Sequence, residues 1–156
     1  MNVSESILKW AMRMYPPFLL QRIWVQKIYP GFKRIDVKIN KSLFTMNFGK
    51  SIFGGTIYSA ADPFYALLFG QILRHDGMKV NVWLKSGSIK FLKPGRTDLY
   101  YSITITDDMI LELKTDLNKT GLFIKTYTIE IVSKHGHLHA IAKNEIHIRN
   151  KTKTKN

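Results

Sequence analysis

The chain has 156 residues with 45% apolar and 12% aromatic content, enough for one domain with a sizeable core, which excludes global disorder. It contains no cysteine, so disulfides and thiolate chemistry are excluded. A formal charge of +13 favours anionic partners such as nucleic acid, membrane headgroups or phosphorylated cofactors, without choosing among them.

The N-terminal stretch MNVSESILKW has Glu5 and Lys9 where a secretory signal needs an unbroken apolar core, and a cytoplasmic location is expected. Residues 4–28 predict helix in two pieces, broken at Pro16-Pro17, with Ser4 as a plausible N-cap. Leu8, Met12 and Tyr15 share helical spacing, with basic residues between them. Packing against the domain is the favoured use of this amphipathic pattern, and docking onto a membrane surface is the lesser one. From Phe32 the period becomes two: Ile35, Val37 and Ile39, then Phe44, Met46 and Phe48, predict one or two half-buried strands.

Between Lys50 and Arg74 the chain runs 23 residues with one charge, Asp62. Ile57, Ala60, Ala61, Phe64, Leu67, Leu68 and Ile72 recur at helical spacing, and the opposite side carries Tyr58, Tyr65 and Phe69. A helix apolar all round is a buried helix. Its length raises a transmembrane reading, but the Gly54-Gly55 pair, a proline, a glutamine and Asp62 argue for a buried soluble helix instead. Asp62 itself has two readings. Asp-Pro is a helix-start signal, with Asp as N-cap and Pro at the first helical position. Alternatively, residues 57–61 already follow the helical phase, so Pro63 kinks a helix begun at Gly54-Gly55. On that reading burial raises the carboxyl pKa and suits Asp62 to act as a general base.

Strand patterns follow. Val80, Val82 and Leu84 alternate on one phase and Ile89 and Phe91 on the other, with Gly87 as a bulge between them. Further strands are predicted from Leu99 to Ile105, at Ile110 and Leu113, from Leu122 to Val132 and from Leu138 to Ile148. Turns are expected at Pro94-Gly95, Asp107-Asp108, Asn118–Gly121 and His135-Gly136. His135, His137 and His139 alternate, but an exposed turn and strand is the expected setting, and no metal site is assigned. An antiparallel sheet wrapped around one long central helix is an α+β plan. The expected limits are a helical extension over 1–30, the main domain over 31–149 and a disordered basic tail over 150–156.

The spacing Asn47-x5-Phe53-Gly54-Gly55-x6-Asp62, followed by Ser88-Ile89-Lys90-Phe91-Leu92-Lys93-Pro94-Gly95-Arg96, resembles the hotdog-fold thioesterases of the phenylacetate-pathway type. It is more similar still to a bacterial branch of that superfamily carrying FGG…ADP and FLKPGR. The resemblance spans about residues 30–150 and implies a hotdog fold that pairs edge to edge as a homodimer or tetramer, with sites between subunits. It also implies roles. Asp62 falls on the acidic position that activates water or attacks the thioester. Gly55 supplies the backbone N–H that polarises the thioester carbonyl, beside Gly54 in the same turn. Asn47 orients the nucleophile or the carbonyl. Coenzyme A, as part of the substrate and not as a cofactor, would run past Lys90, Lys93 and Arg96, with Ser86 and Ser88 lining its channel.

Two positions depart from the family pattern: Phe53 replaces the usual histidine and Leu84 replaces a Ser or Thr. The resemblance makes hydrolysis of an acyl-CoA thioester the leading expectation. A non-catalytic acyl-CoA or lipid-binding protein is the second, favoured by Phe53 and Leu84. A basic module binding nucleic acid or a membrane surface is the third; no nucleic-acid motif accompanies the charge.

Overall fold

The computed structural model describes residues 3–152. Helices α1 (Glu5–Met14) and α2 (Pro16–Leu20) lead into strand β1 (Ile23–Ile28), a 3-10 turn at Pro30–Phe32 and strand β2 (Arg34–Ile39). The central helix follows in two segments, α3 (Gly54–Ala61) and α4 (Phe64–His75). Then come β3 (Val80–Phe91), β4 (Leu99–Thr104), helix α5 (Asp107–Thr120), β5 (Leu122–Ser133) and β6 (Leu138–Asn150). All six strands form one antiparallel sheet in the order β1-β2-β4-β5-β6-β3.

Period-two burial explains which face meets the central helix. Ile35, Val37 and Ile39 on β2, Leu99, Tyr101 and Ile103 on β4, and Ile129 and Ile131 on β5 point inward with Ala140, Ala142, Ile146 and Ile148 of β6. Across from them lie Phe64, Tyr65, Leu68, Phe69, Ile72 and Leu73 of α4. Tyr65 stacks on Tyr127 with ring centres 4.6 Å apart, and Phe69 meets both Tyr127 and Phe123. The α+β expectation holds, with the long helix laid along one face of the sheet.

Three local expectations give way. Residues Ile23–Ile28 are a strand, not the end of a second helix, because Ile23 and Val25 alternate with exposed Trp24. A bulge between Val25 and Lys27 then returns Ile28 to the interior, so the sheet begins before the expected limit at residue 30. Phe44, Met46 and Phe48 alternate without a strand beside them; apart from a bridge between Met46 and Ile52 the segment is turn and loop. The expected turn at Asp107-Asp108 and the strand after it are helix α5. Thr106 Oγ1 accepts from the Met109 N–H at 3.2 Å, both aspartates sit in the first turn, and Leu113 and Leu117 bury one face. At the end of the chain Asn150 Oδ1 accepts from the N–H and hydroxyl of Thr152; the rest of the expected disordered tail lies outside the described residues.

The two edges of the sheet are treated differently. On β1, Arg13 of α1 donates through Nε to the Val25 carbonyl at 2.8 Å and through a second nitrogen to the Gln26 carbonyl at 3.4 Å. Helix α1 and its arginine thus satisfy one edge, which discourages further strand pairing there. On the other side, among the described residues, β3 pairs only with β6, and no strand pairs with its second edge over 12 residues.

Phe69→Ala should cost about 3–5 kcal/mol in urea denaturation, because it opens a cavity between α4 and the sheet. Phe48, at 110% exposure, should tolerate alanine within about 0.5 kcal/mol, an outcome a half-buried strand would not give.

Candidate functional site

Pro63 has no N–H and cannot continue a helical ladder, so the central helix breaks at Asp62-Pro63. The carbonyls at the break accept from side chains of the sheet. Tyr101 on β4 donates its hydroxyl to the Ala60 carbonyl. Asn144 on β6 donates its amide to the Ala61 carbonyl at 2.8 Å and to the Asp62 carbonyl at 3.4 Å. Both side chains are buried, as polar groups can be when they are paired.

Asp62 does not cap α4: Pro63 occupies the N-cap position and no side chain bonds there. Among the described residues the Asp62 carboxylate meets no hydrogen-bond donor and no cation. It is not buried as the apolar run suggested, since the side chain reaches solvent. The neighbouring protein nevertheless strips enough water from it to raise its pKa above the usual carboxylate value. Tyr101 is close enough to feel its charge: the phenol pKa is pushed well up, first by burial and then by Asp62.

The Asp62 backbone lies over β6, the strand next to the open edge. Asn144 pairs with Gly87 on β3, and the Tyr58 hydroxyl sits where a side chain at Gly87 would be. Only glycine lets the tyrosine of α3 approach the edge strand so closely, and Asn144 Oδ1 is buried there without a partner among the described residues. Gly87 is in register here; the strand's irregularity falls between Leu84 and Ser86.

A second locus lies at the start of α3. A cleft of about 340 Å³ is lined by Asn47, Ser51, Gly54, Phe91, Lys93 and Gly95, among others. Asn47 is folded into its own loop, with Oδ1 accepting from the Ser51 N–H at 3.2 Å and the Ser51 hydroxyl at 3.1 Å. Among the described residues neither the Gly54 nor the Gly55 N–H reaches an acceptor, as expected of the first helical turn. A Cβ on Gly54 would lie 3.0 Å from the Phe91 ring, and one on Gly55 would collide with the Phe53 ring. The glycine pair is required so that two aromatic rings can flank the helix N-terminus.

Of the residues singled out in the sequence, Asn47, Gly54 and Lys93 come together at this cleft. Gly55 borders it through the same helical turn. Asp62 is seven residues further on, about 10 Å along the axis at 1.5 Å per residue. Ser86, Ser88 and Lys90 are exposed on open β3, and Arg96 is exposed in the loop after it. Lys90, Lys93 and Arg96 form no ion pair among the described residues. His135 and His137 are exposed, with rings 6.5 Å apart. Sequence reasoning missed Tyr101 and Asn144. Their signal was present: each is a polar side chain on the buried phase of a strand, Leu99-x-Tyr101-x-Ile103 and Ala142-x-Asn144-x-Ile146.

A family model described as "Domain of unknown function (DUF4442)" matches residues 4–148. The chain belongs to that family. No curated protein matches it by sequence. Among solved structures, a Pseudomonas aeruginosa protein of unknown function described as a probable thioesterase superposes with a TM-score of 0.80 at 13% identity, over 96% of this chain and 98% of that one. A Haemophilus influenzae thioesterase gives 0.70 at 12% identity, over 100% and 97% of the two chains. The Escherichia coli PaaI protein of the phenylacetic acid degradation operon gives 0.58 at 18% identity, over 92% and 95%. At such identities the likeness establishes the fold, and the fold is hotdog.

Two measurements check the break. Tyr101→Phe leaves the Ala60 carbonyl buried and unpaired and should cost about 1–3 kcal/mol in denaturant. Asp62→Asn should stabilise the protein at neutral pH. A carboxyl whose folded pKa is raised binds its proton more tightly when folded, so its ionisation erodes stability as pH rises from the unfolded pKa through the folded one. Below both values the variant and the parent should unfold alike.

Proposed function

We propose that this protein hydrolyses an acyl-CoA thioester, with the site assembled from two copies of the chain. The observation that carries the reading is Asp62, a carboxylate with a raised pKa and no partner among the described residues, held at the break of a hotdog helix over the strand next to the open edge. An unpaired acid of this kind is suited to take a proton from water or to attack a carbonyl directly.

The complementary half is the N-terminus of α3. Its two unused N–H groups and the helix dipole favour the negative charge that develops on a thioester oxygen. Within one chain the two halves stand about 10 Å apart along the helix, too far to act on one carbonyl. The open β3 edge supports a way round this. If two β3 strands pair antiparallel about Ile89, Gly87 of one copy falls opposite Phe91 of the other. Gly87 lies beside the Asp62 break and Phe91 beside Gly54. Such pairing brings Asp62 of one copy towards the α3 N-terminus of the other, twice per dimer.

The remaining residues fit a substrate with an anionic handle. Lys93 at the cleft, with Lys90 and Arg96 nearby in the chain, offers unpaired cations to the phosphates of coenzyme A. Asn47, already turned onto Ser51, shapes the cleft wall. Holding a thioester without turnover is the second reading, and Phe53 favours it: its ring covers Gly55 where the family carries a histidine.

Hydrolysis of a panel of acyl-CoAs by parent, Asp62→Asn and Asp62→Ala tests this. Both variants should lose about 10²–10⁴ in kcat/KM. The parent's rate should rise with pH through a pKa above the usual carboxylate range, because the ionised form is the base. Equal rates in all three proteins would remove Asp62 from the reaction. Saturable acyl-CoA binding without turnover would select the second reading.

A further inference from the structure

Helix α1 buries Leu8 against the domain and turns a second apolar stripe outward. Ile7, Trp10 and Met14 recur at i, i+3 and i+7, and all three are exposed. The stripe does not end with the helix. Arg13 stacks between Trp10 and Trp24, its guanidinium 4.8 and 4.3 Å from the two ring centres. Trp24 borders a groove of about 480 Å³ shared with Phe18, Leu19, Arg22 and Ser42. Arg22 in turn lies 5.6 Å from the ring of Phe44. Beside it Leu43 and Phe44 are 86% and 76% exposed, and Leu20 of α2 is also bare. One continuous surface of aliphatic and aromatic side chains, interleaved with cations, therefore covers α1, α2 and the loop after β2.

Its charge is compensated only in part: Lys33, Arg34 and Lys38 pair with Asp107, Asp36 and Asp98. Residues 3–50 hold nine Lys and Arg against two acids, Glu5 and Asp36, and both acids are occupied. Glu5 accepts from the Gly31 N–H at 2.8 Å, and Asp36 bonds Tyr29, Arg34 and Ser102. The side-chain cations of Lys9, Arg22, Lys27 and Lys41 meet no carboxylate among the described residues.

We propose that this surface docks the protein on an anionic phospholipid membrane, with the apolar stripe at the headgroup–acyl boundary and the cations on lipid phosphates. No helix of the described residues is long and apolar enough to cross a membrane, so the contact is peripheral. The mixture of chemistries selects this occupant. Aliphatic side chains such as Ile7, Met14, Leu20 and Leu43 have no role against a nucleic-acid backbone, whereas a bilayer interface takes both them and the cations. A second copy bound through the same face would set one basic patch against another, since a two-fold contact joins like patches. Tryptophan, represented twice here, suits a site with one wet and one apolar side.

Co-sedimentation with vesicles of mixed phosphatidylcholine and phosphatidylglycerol, against phosphatidylcholine alone, tests the inference without reference to enzyme activity. The parent should bind the anionic vesicles, bind less as salt is raised, and leave the neutral ones in solution. Tryptophan emission should shift to the blue on binding, and less so in Trp10→Phe. Ile7→Ser/Met14→Ser, both surface changes that leave thermal unfolding in place, should weaken binding about tenfold or more. Lys9→Glu/Arg22→Glu should do the same through charge. Equal partition onto both vesicle types, or binding untouched by either double variant, overturns the proposal. So does the absence of vesicle binding together with a change of oligomeric state in Ile7→Ser/Met14→Ser.

Discussion

A buried carbonyl without a donor costs free energy comparable to a lost hydrogen bond, and Pro63 creates that problem in the middle of the apolar central helix. The protein meets it from the sheet. Tyr101 reaches up from β4 and Asn144 from β6, and between them they serve the carbonyls of Ala60, Ala61 and Asp62. These bonds are directional, whereas the apolar packing of α4 on the sheet would tolerate sliding. They therefore set the height and rotation of the central helix. Everything proposed about the site depends on that placement: the exposure of Asp62, the approach of Tyr58 to Gly87, and the cleft between the first turn of α3 and the end of β3.

The sheet edges carry the second constraint. An open strand edge is a template for pairing, and this fold leaves only β3 in that state. Arg13 closes β1 by spending its guanidinium on two edge carbonyls, with its flat faces covered by Trp10 and Trp24. One residue thus has two consequences. It leaves β3 as the unpaired edge among the described residues, and it anchors α1 so that Ile7, Trp10 and Met14 are exposed.

Much of the architecture was legible. The long strands at Leu99, Leu122 and Leu138 alternate cleanly, and the kink at Pro63 followed from its missing N–H. The failures have physical causes. Phe44, Met46 and Phe48 alternate like a strand, yet alternation stabilises nothing without a neighbour to complete the ladder. Thr106, Asp107 and Asp108 serve equally as turn residues and as a helix start, because in each case their oxygens accept from nearby backbone N–H groups. Ile110 and Leu113 alone suggest a strand, whereas the Leu113–Leu117 spacing carries the helical signal. Ile23 and Val25 fit a helical face loosely and a strand face well; the bulge at Gln26 hid the second pattern by displacing Ile28.

The sequence by itself determined that a single acid interrupts an apolar run, and that the proline after it either starts a helix or breaks one begun at the two glycines. Those conclusions follow from local chemistry: the desolvation of a carboxylate, the missing side chain of glycine and the missing N–H of proline. Tertiary structure decided the rest. It set Asp62 at the surface of the break instead of deep within the core, assigned its carbonyl to Asn144 some 80 residues downstream, and parted it from Gly55 by the length of a helix. It also left one edge and one amphipathic face without partners. Such outcomes depend on which distant strands meet, and the periodicity of any one segment carries no record of its neighbour.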